Sequence, residues 1–415
     1  MAVAAKQRKE KNKTSEAWRV SDAFCRKHSR YLTIGLLPPL AVHIAIDAHS
    51  VGAQLAGNET YAVNLIQALA EIDQLNQYTL FVTKQSAFDR FTGRWPNFTV
   101  RQTLPHTPLV RIPLTLSAEL RRQRIDVLHV QYTAPPLAPC PVVATIHDLS
   151  FEHLPETFKR RSRAQLRLTV RRTARKAAQI LTLSEFSRRD VIETYRVDPT
   201  RVTTTPAAAP AHFAPVTNDT ELRRIRKSYG IERDYILSLG SLQPRKNLKR
   251  LIEAYSSLPK ILSANDVPQL VLAGKRGWLD TDVFRAAKLS GMEKNVLFTG
   301  YVQDSDLPAL YSGAICFVYP SYFEGFGLPI LEAMQCGAPV VAGNRTSVPE
   351  VVGDAGILVD PFNVNDFAKA MAKIINNREY RESLRARGLS RAKCFDWKRT
   401  AQLTLGAYER AVATR

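Results

Sequence analysis

The sequence predicts an α/β protein made of two successive parallel-sheet units of the Rossmann-like kind. From residue 42 onward, short apolar runs alternate with amphipathic helical stretches, the pattern of strands joined by crossover helices. The alternation pauses at an Ala- and Pro-rich stretch, residues 206–215, and then restarts. A chain of 415 residues also exceeds what one ordinary core holds, so two domains are expected.

The first unit is expected over residues 41–215, with strands at 42–47, 78–83, 126–131, 142–146 and 179–183 and an amphipathic helix at 59–72. The second is expected over 216–395, with strands at 235–239, 269–273, 296–299, 315–319, 339–342 and 357–359. From residue 362 the pattern is helical, and 396–415 reads as a final helix. No short internal repeat is present. Sheets of this kind bind ligands beyond the carboxyl ends of their strands, so the residues just after each strand are the ones to inspect.

Composition narrows the function. Residues 1–40 hold nine Lys/Arg against three Asp/Glu and read as a disordered basic leader, or as a start site set too far upstream. The longest apolar candidate, residues 32–46, contains Pro38, Pro39 and His43, so no segment reaches the roughly 20 apolar residues that span a bilayer. The net charge is +20, and residues 41–229 carry 25 Lys/Arg against 16 Asp/Glu. No nucleic-acid-binding motif accompanies that excess, so an anionic membrane or a lipid-phosphate acceptor is the better partner and nucleic acid is not expected. The five cysteines are widely spaced without a Cys-x-x-Cys pair, which argues against a disulfide framework or a zinc site. A cytoplasmic protein at the inner face of the membrane is expected.

The most informative window is residues 317–341. The apolar run 315–319 reads as a buried strand ended by Pro320, and Glu324-Gly325-Phe326-Gly327 as a tight loop that brings backbone amides close to a ligand. Pro329 suits the first turn of the next helix and Gly337 its C-terminal cap. A strand, a glycine loop and a helix N-terminus make an anion site. Glu324 and Glu332, eight residues apart, are carboxylates suited to the vicinal hydroxyls of a sugar or a ribose. Earlier, Gly240-Ser241-Leu242-Gln243-Pro244-Arg245-Lys246-Asn247 follows the first strand of the second unit and sets two cations where a helix begins, fit to meet a diphosphate without a metal.

Residues 324–332 resemble the Glu-x7-Glu motif of retaining glycosyltransferases with the GT-B fold, family four in particular, and the resemblance runs over roughly residues 41–415. It implies two Rossmann-like domains facing a cleft, the acceptor side first, and a final helix that crosses back to the first domain. It implies transfer of a hexose, with retention, from a nucleotide diphosphate sugar to a hydroxyl of a glycan or lipid-linked acceptor. Similarity to bacterial polysaccharide mannosyltransferases puts mannose first and glucose second. The roles implied are Glu324 on sugar hydroxyls, Glu332 on the ribose, and Arg245 and Lys246 on the diphosphate. Gly325 and the amides of Phe326, Gly327 and Leu328 support sugar and phosphates, and Tyr301 and Val302, after the strand ending near Gly300, meet the base. His147, at the end of the strand at 142–146, would contact the hexose. Residues 52–58 are similar to the family's glycine loop, with Gly57 and Asn58 near donor phosphate or acceptor. Two departures stand: Ser241 where many members carry Arg, and Ala56-Gly57 where they often carry two glycines.

Three further features have plainer readings. The triplets Asp280-Thr281-Asp282 and Asp304-Ser305-Asp306 precede helical patterns, where Asp or Ser caps a helix, so neither a metal nor a cofactor beyond the nucleotide-sugar co-substrate is expected. Ser184 reads as a cap for the same reason. Residues 159–176 hold nine basic residues and no acidic one, with Arg160, Arg163, Arg167 and Arg171 on one face, a surface for anionic lipid or merely a solvated one. A Rossmann oxidoreductase would need a Gly-x-Gly-x-x-Gly turn, which is absent. A non-catalytic sugar-nucleotide or lipid-binding protein, or another GT-B enzyme such as an epimerase or phosphorylase, remains the alternative.

Overall fold

The computed structural model describes residues 41–53, 57–263, 267–277 and 281–414. The basic leader, Ala56 and Asp280 lie outside the described residues. By its internal contacts the chain divides between Ala207 and Ala208, and the segment from Asp396 onward groups with the first unit.

The first unit holds a seven-stranded, all-parallel sheet: β1 (His43–Asp47), β2 (Gln77–Val82), β3 (Phe98–Gln102), β4 (Val127–Gln131), β5 (Val142–Thr145), β6 (Gln179–Thr182) and β7 (Val202–Thr204), in the order β3-β2-β1-β4-β5-β6-β7. β4, β5 and β6 are buried along their whole length, as strands covered on both faces must be. β3 and β7, which the apolar pattern did not disclose, are the two edges. Their Phe-Thr-Val-Arg-Gln and Val-Thr-Thr sequences stay partly exposed, so nothing forces a continuous apolar run there.

The second unit holds six parallel strands: β8 (Tyr235–Leu239), β9 (Gln269–Ala273), β10 (Val296–Gly300), β11 (Cys316–Tyr319), β12 (Val340–Gly343) and β13 (Gly356–Val359), in the order β10-β9-β8-β11-β12-β13. The strand order reverses between β8 and β11, where the connections leave in opposite directions and a crevice opens at the carboxyl ends. One core cluster joins these strands to the helices Leu248–Tyr255 and Val364–Asn376. The helix Trp397–Val412 belongs to the first unit, where Tyr408 bonds His129 of β4 at 2.6 Å. The architecture is two Rossmann-like parallel sheets, the GT-B class.

A row of glycines shapes the carboxyl edge of the second sheet. Gly240 N donates to Ala273 O at 2.9 Å, and Gly274 N to Gly300 O at 2.8 Å. Gly274 sits at φ +141°, and a Cβ there would lie 2.1 Å from Gly240 O. Gly274→Ala should therefore push the 240–246 loop out of place and lower the unfolding midpoint by an amount worth about 2 kcal/mol. An unchanged thermal melt would show that the two loops pack less tightly than this.

Candidate functional site

The loop after β8 and the loop after β11 meet at the point where the second sheet's strand order reverses. Pro244–Lys246 forms a single tight turn, and Asn247 then adopts a left-handed conformation at φ 58°. The Asn247 amide donates to Pro320 O at 3.1 Å and to Pro361 O at 2.6 Å, which ties the turn to the end of β11. The result is a three-charge cluster. Lys246 Nζ donates to Glu324 Oε1 at 2.7 Å and to the Tyr319 hydroxyl at 2.6 Å, while Arg245 Nη1 lies 2.7 Å from Glu324 Oε2. Arg245 also donates to Phe323 O at 3.0 Å.

Glu324 is 6% exposed. Burial pushes its carboxyl up, but Arg245 and Lys246 together outweigh that and hold it at about 2, so it is ionised throughout the physiological range. Two cations on one carboxylate leave one positive charge over. The loop itself is held through its backbone: Glu324 N donates to Thr346 Oγ1 at 3.0 Å, and Ser347 Oγ donates to Glu324 O and Phe326 O at 2.8 and 3.0 Å. Gly327, at φ +113°, turns the chain into the helix Leu328–Gln335, with Pro329 in its first turn and Gly337 left-handed beyond its end. The side chains of Phe326 and Leu328 are buried, with the Phe326 ring against Phe395 at 5.8 Å. Beyond Glu324, what this loop offers a ligand is therefore backbone.

Glu332 lies one turn into the same helix, buried, and its carboxylate accepts a hydrogen bond from the Tyr311 hydroxyl at 3.0 Å. Burial raises its carboxyl to about 7; the Tyr311 bond opposes this and Asp304 adds to it. Tyr301, after β10, is half exposed with Lys275 Nζ 4.6 Å above its ring, whereas the side chain of Val302 is buried. Val302 can therefore meet a ligand only through its backbone.

In the first unit, His147 is buried beyond the end of β5, and burial lowers its pKa to about 4, against a smaller opposing effect of Asp148. It is neutral. Its Nε2 lies 2.9 Å from Gln131 Oε1; the Gln131 amide donates to Ser50 Oγ at 3.1 Å and Ser50 donates to Asn58 O at 3.3 Å. With Gln131 in that orientation Nε2 carries the proton, so Nδ1 keeps a lone pair. In that arrangement the one N–H of His147 donates to Gln131. Tyr61 meets the ring edge-on at 4.9 Å. Gly57 opens the helix Gly57–Ile72, and Asn58 stands in its first turn.

Two expectations change. Asp306 does not cap the helix that follows it; its carboxylate accepts from Arg224 and the Tyr229 hydroxyl, both at 2.8 Å. The arginine face of the helix Arg160–Lys176 is divided. Arg163 donates to Phe151 O at 2.9 Å and Arg167 to Glu152 at 2.6 Å, because burying Val170, Thr173 and Ala174 turns those two back onto the protein. Ser184 does cap its helix, accepting from Ser187 N at 3.0 Å. Among the described residues, no three His, Cys, Asp or Glu side chains gather as a metal set. Sequence reasoning missed Tyr319, Tyr311 and Gln131. Tyr319 had a signal, as the last residue of a strand just before the glycine loop; Tyr311, 21 residues from its partner, had none.

The profile of "Glycosyl transferases group 1" matches residues 222–391, and that of "Glycosyltransferase Family 4" matches residues 55–209. O-antigen chain mannosyltransferase B of Escherichia coli is 38% identical over 267 residues, 64% of this chain and 70% of that protein. Serotype-specific mannosyltransferase WbdA of Escherichia coli is 34% identical over 237 residues, 57% of this chain but only 29% of its own length. Among solved structures, sucrose-phosphate synthase from Thermosynechococcus elongatus superposes with a TM-score of 0.69 at 19% identity, covering 90% of this chain and 100% of that one. The chain belongs to the family 4, or group 1, glycosyltransferases, and it is a glycosyltransferase.

The Glu324 cluster makes a pH prediction. Its carboxyl lies at about 2 when folded against an ordinary 4.5, so the ion pairs stabilise the fold fully above pH 4.5 and are lost as pH falls toward 2. The shift corresponds to about 3 kcal/mol at most. Glu324→Gln should be less stable than the wild type at pH 7, and the gap should close between pH 4.5 and 2. Urea midpoints across that range check it; a gap that stays constant would show that the pairs contribute nothing to the acid limb.

Proposed function

We propose that the protein is a retaining hexosyltransferase that moves mannose from a nucleotide diphosphate sugar to a hydroxyl of a growing cell-surface polysaccharide or its lipid-linked precursor. The observation that carries the reading is the Arg245–Glu324–Lys246 cluster at the reversal point of the second sheet. The names of the relatives at 38% and 34% identity support mannose, with GDP-mannose the first donor to test and UDP-glucose the second.

Each part of the cluster has a task. The surplus positive charge and the first-turn amides of the helix Leu328–Gln335 meet the diphosphate, whose charge grows as it leaves. A carboxylate has lone pairs enough to keep both cations and still accept from sugar hydroxyls, so Glu324 orients the hexose. Glu332 accepts from the ribose, and the half-exposed Tyr301 ring is the face for the base. His147 accepts a sugar hydroxyl at Nδ1, and Gly57 and Asn58 serve the phosphate or acceptor. The anomeric C–O bond to phosphate breaks, a bond to the acceptor oxygen forms on the same face, and the acceptor proton passes to the leaving phosphate. That route requires no protein base, and with two fixed cations it requires no metal.

Glu324→Gln should therefore cut mannosyl transfer at least about 100-fold with the fold intact, and the wild type should retain turnover in EDTA. Near-normal transfer by folded Glu324→Gln would remove the central assignment; loss in EDTA restored by manganese would remove the metal-free route.

Glu332 gives the second test. Ribose hydroxyls bind its carboxylate form, and its carboxyl sits near 7, so apparent donor affinity falls as pH drops below that. At pH 6 the dissociation constant should be about tenfold above its high-pH limit. Glu332→Gln should flatten the profile between pH 6 and 8; a calorimetric titration in which the variant keeps the slope would place the titrating group elsewhere.

A further inference from the structure

The first unit exposes an apolar turn that its own core does not explain. Residues 104–110 are all exposed, and Leu104, Leu109, Val110 and Leu114 show 51, 71, 40 and 65% of their surface to solvent. In the middle of this stretch Arg111 is buried, and its guanidinium grips Asp47 at the end of β1 with both nitrogens, at 2.8 and 3.0 Å. The cause is local winding. Residues three apart share a face in an α-helix, but Arg111–Leu116 is wound wider, with i→i+5 bonds, which swings Leu114 away from Arg111. One buried ion pair thus holds an apolar turn outward beside the end of β1.

The surroundings say what covers it. No acidic residue occurs between Arg101 and Ala118. The same turn's Leu116 and Leu120 share a core cluster with Val170 and Ala174, so the helix Arg160–Lys176 lies on the same face of the sheet. That helix exposes Arg160, Arg161, Arg171, Arg172, Arg175 and Lys176, with Leu168 74% exposed among them. Arg172 donates to Pro136 O at 3.3 Å, which brings the exposed Leu137 alongside. Apolar side chains interleaved with cations match an interface of acyl chains beneath anionic headgroups. A second copy docking by this face would set its own arginines against these.

We propose that the 104–114 turn inserts into an anionic bilayer surface, with the exposed cations of the helix Arg160–Lys176 on the headgroups. The proposal rests on the reading that the acceptor is carried by a membrane lipid. It differs from a purely electrostatic contact in that part of the binding survives salt.

The test is co-sedimentation with vesicles of phosphatidylglycerol and phosphatidylcholine, with donor hydrolysis measured on the same preparations. Wild type should bind and keep a salt-resistant fraction. Leu109→Ser/Val110→Ser/Leu114→Ser should weaken partitioning at least about tenfold, equivalent to about 1.4 kcal/mol, while hydrolysing donor normally. Arg171→Gln/Arg172→Gln/Arg175→Gln should lose the salt-sensitive part. Leu109→Trp should show more quenching by brominated lipid than wild type. Serine-variant binding equal to wild type, no extra quenching in Leu109→Trp, or a dimer that the serine variant abolishes without vesicle binding would each overturn the proposal. Vesicle binding with no donor hydrolysis in any preparation would instead sink the enzymatic reading and leave the insertion standing.

Discussion

Glu324 depends on two neighbours 78 and 79 positions earlier in the chain, and the second unit is arranged around keeping them together. Burying one carboxylate with two cations costs desolvation that Coulomb attraction alone rarely repays, and well-packed apolar residues would serve stability as well or better. The fold nonetheless commits Asn247, Thr346, Ser347 and Tyr319 to fixing the three charges in place. A structure that spends so many hydrogen bonds on orienting charge is preorganised for a ligand, since the donors need not rearrange when the ligand's own charge develops. The reversal of strand order between β8 and β11 makes this possible, because only there do two successive loops diverge and leave room between their bases.

The first unit solves a different problem, that of keeping two buried imidazoles neutral. His129 lies between Tyr408 at 2.6 Å and Thr145 at 2.7 Å, and burial, with His147 nearby, brings its pKa down to about 3. Thr145 in turn meets the Tyr61 hydroxyl at 3.1 Å, and Tyr61 packs on His147. The helix Trp397–Val412 is thereby locked to the strands that position His147. Its Thr400 adds a hydrogen bond to Pro206 O. The last helix of the chain is in this sense part of the His147 environment, though 250 residues separate Trp397 from it.

Much of this was legible in the sequence because covered parallel strands are largely apolar: β5, β8 and β11 read as short, mostly apolar runs, and Gly240 and Pro320 end the last two. The edge strands β3 and β7 escaped because half-exposed strands need no such run. Local motifs placed Glu324, Arg245, Lys246 and His147 at strand ends, which is where they stand. What the sequence withheld is partnership. Nothing near Asp306 announces Arg224 and Tyr229, and a helical wheel assigns Arg163 and Arg167 to a free face although both reach back to the 151–152 turn. Nor does a run of prolines and leucines at 104–114 disclose that one arginine within it points inward. Side-chain direction at a widened helical turn is set by a contact 64 positions away, not by the residues on either side.

The two glutamates of the motif show how far spacing alone carries an argument. Eight positions apart and both buried, they differ in one respect, that Glu324 has cations and Glu332 has a tyrosine hydroxyl. Guanidinium and ammonium charges overcome desolvation; a phenol donor offsets only part of it. One carboxyl therefore stays ionised at any pH the protein meets, and the other sits at the edge of protonation at neutral pH. Environments that push like groups apart are how one residue type performs two tasks in a site. Glu324 is a fixed charge, with its ionisation guaranteed by Arg245 and Lys246, the cations that in the proposed reading meet the phosphates. Glu332 is poised instead, so that in the proposed reading ribose hydroxyls that bind its carboxylate form would draw a proton off it.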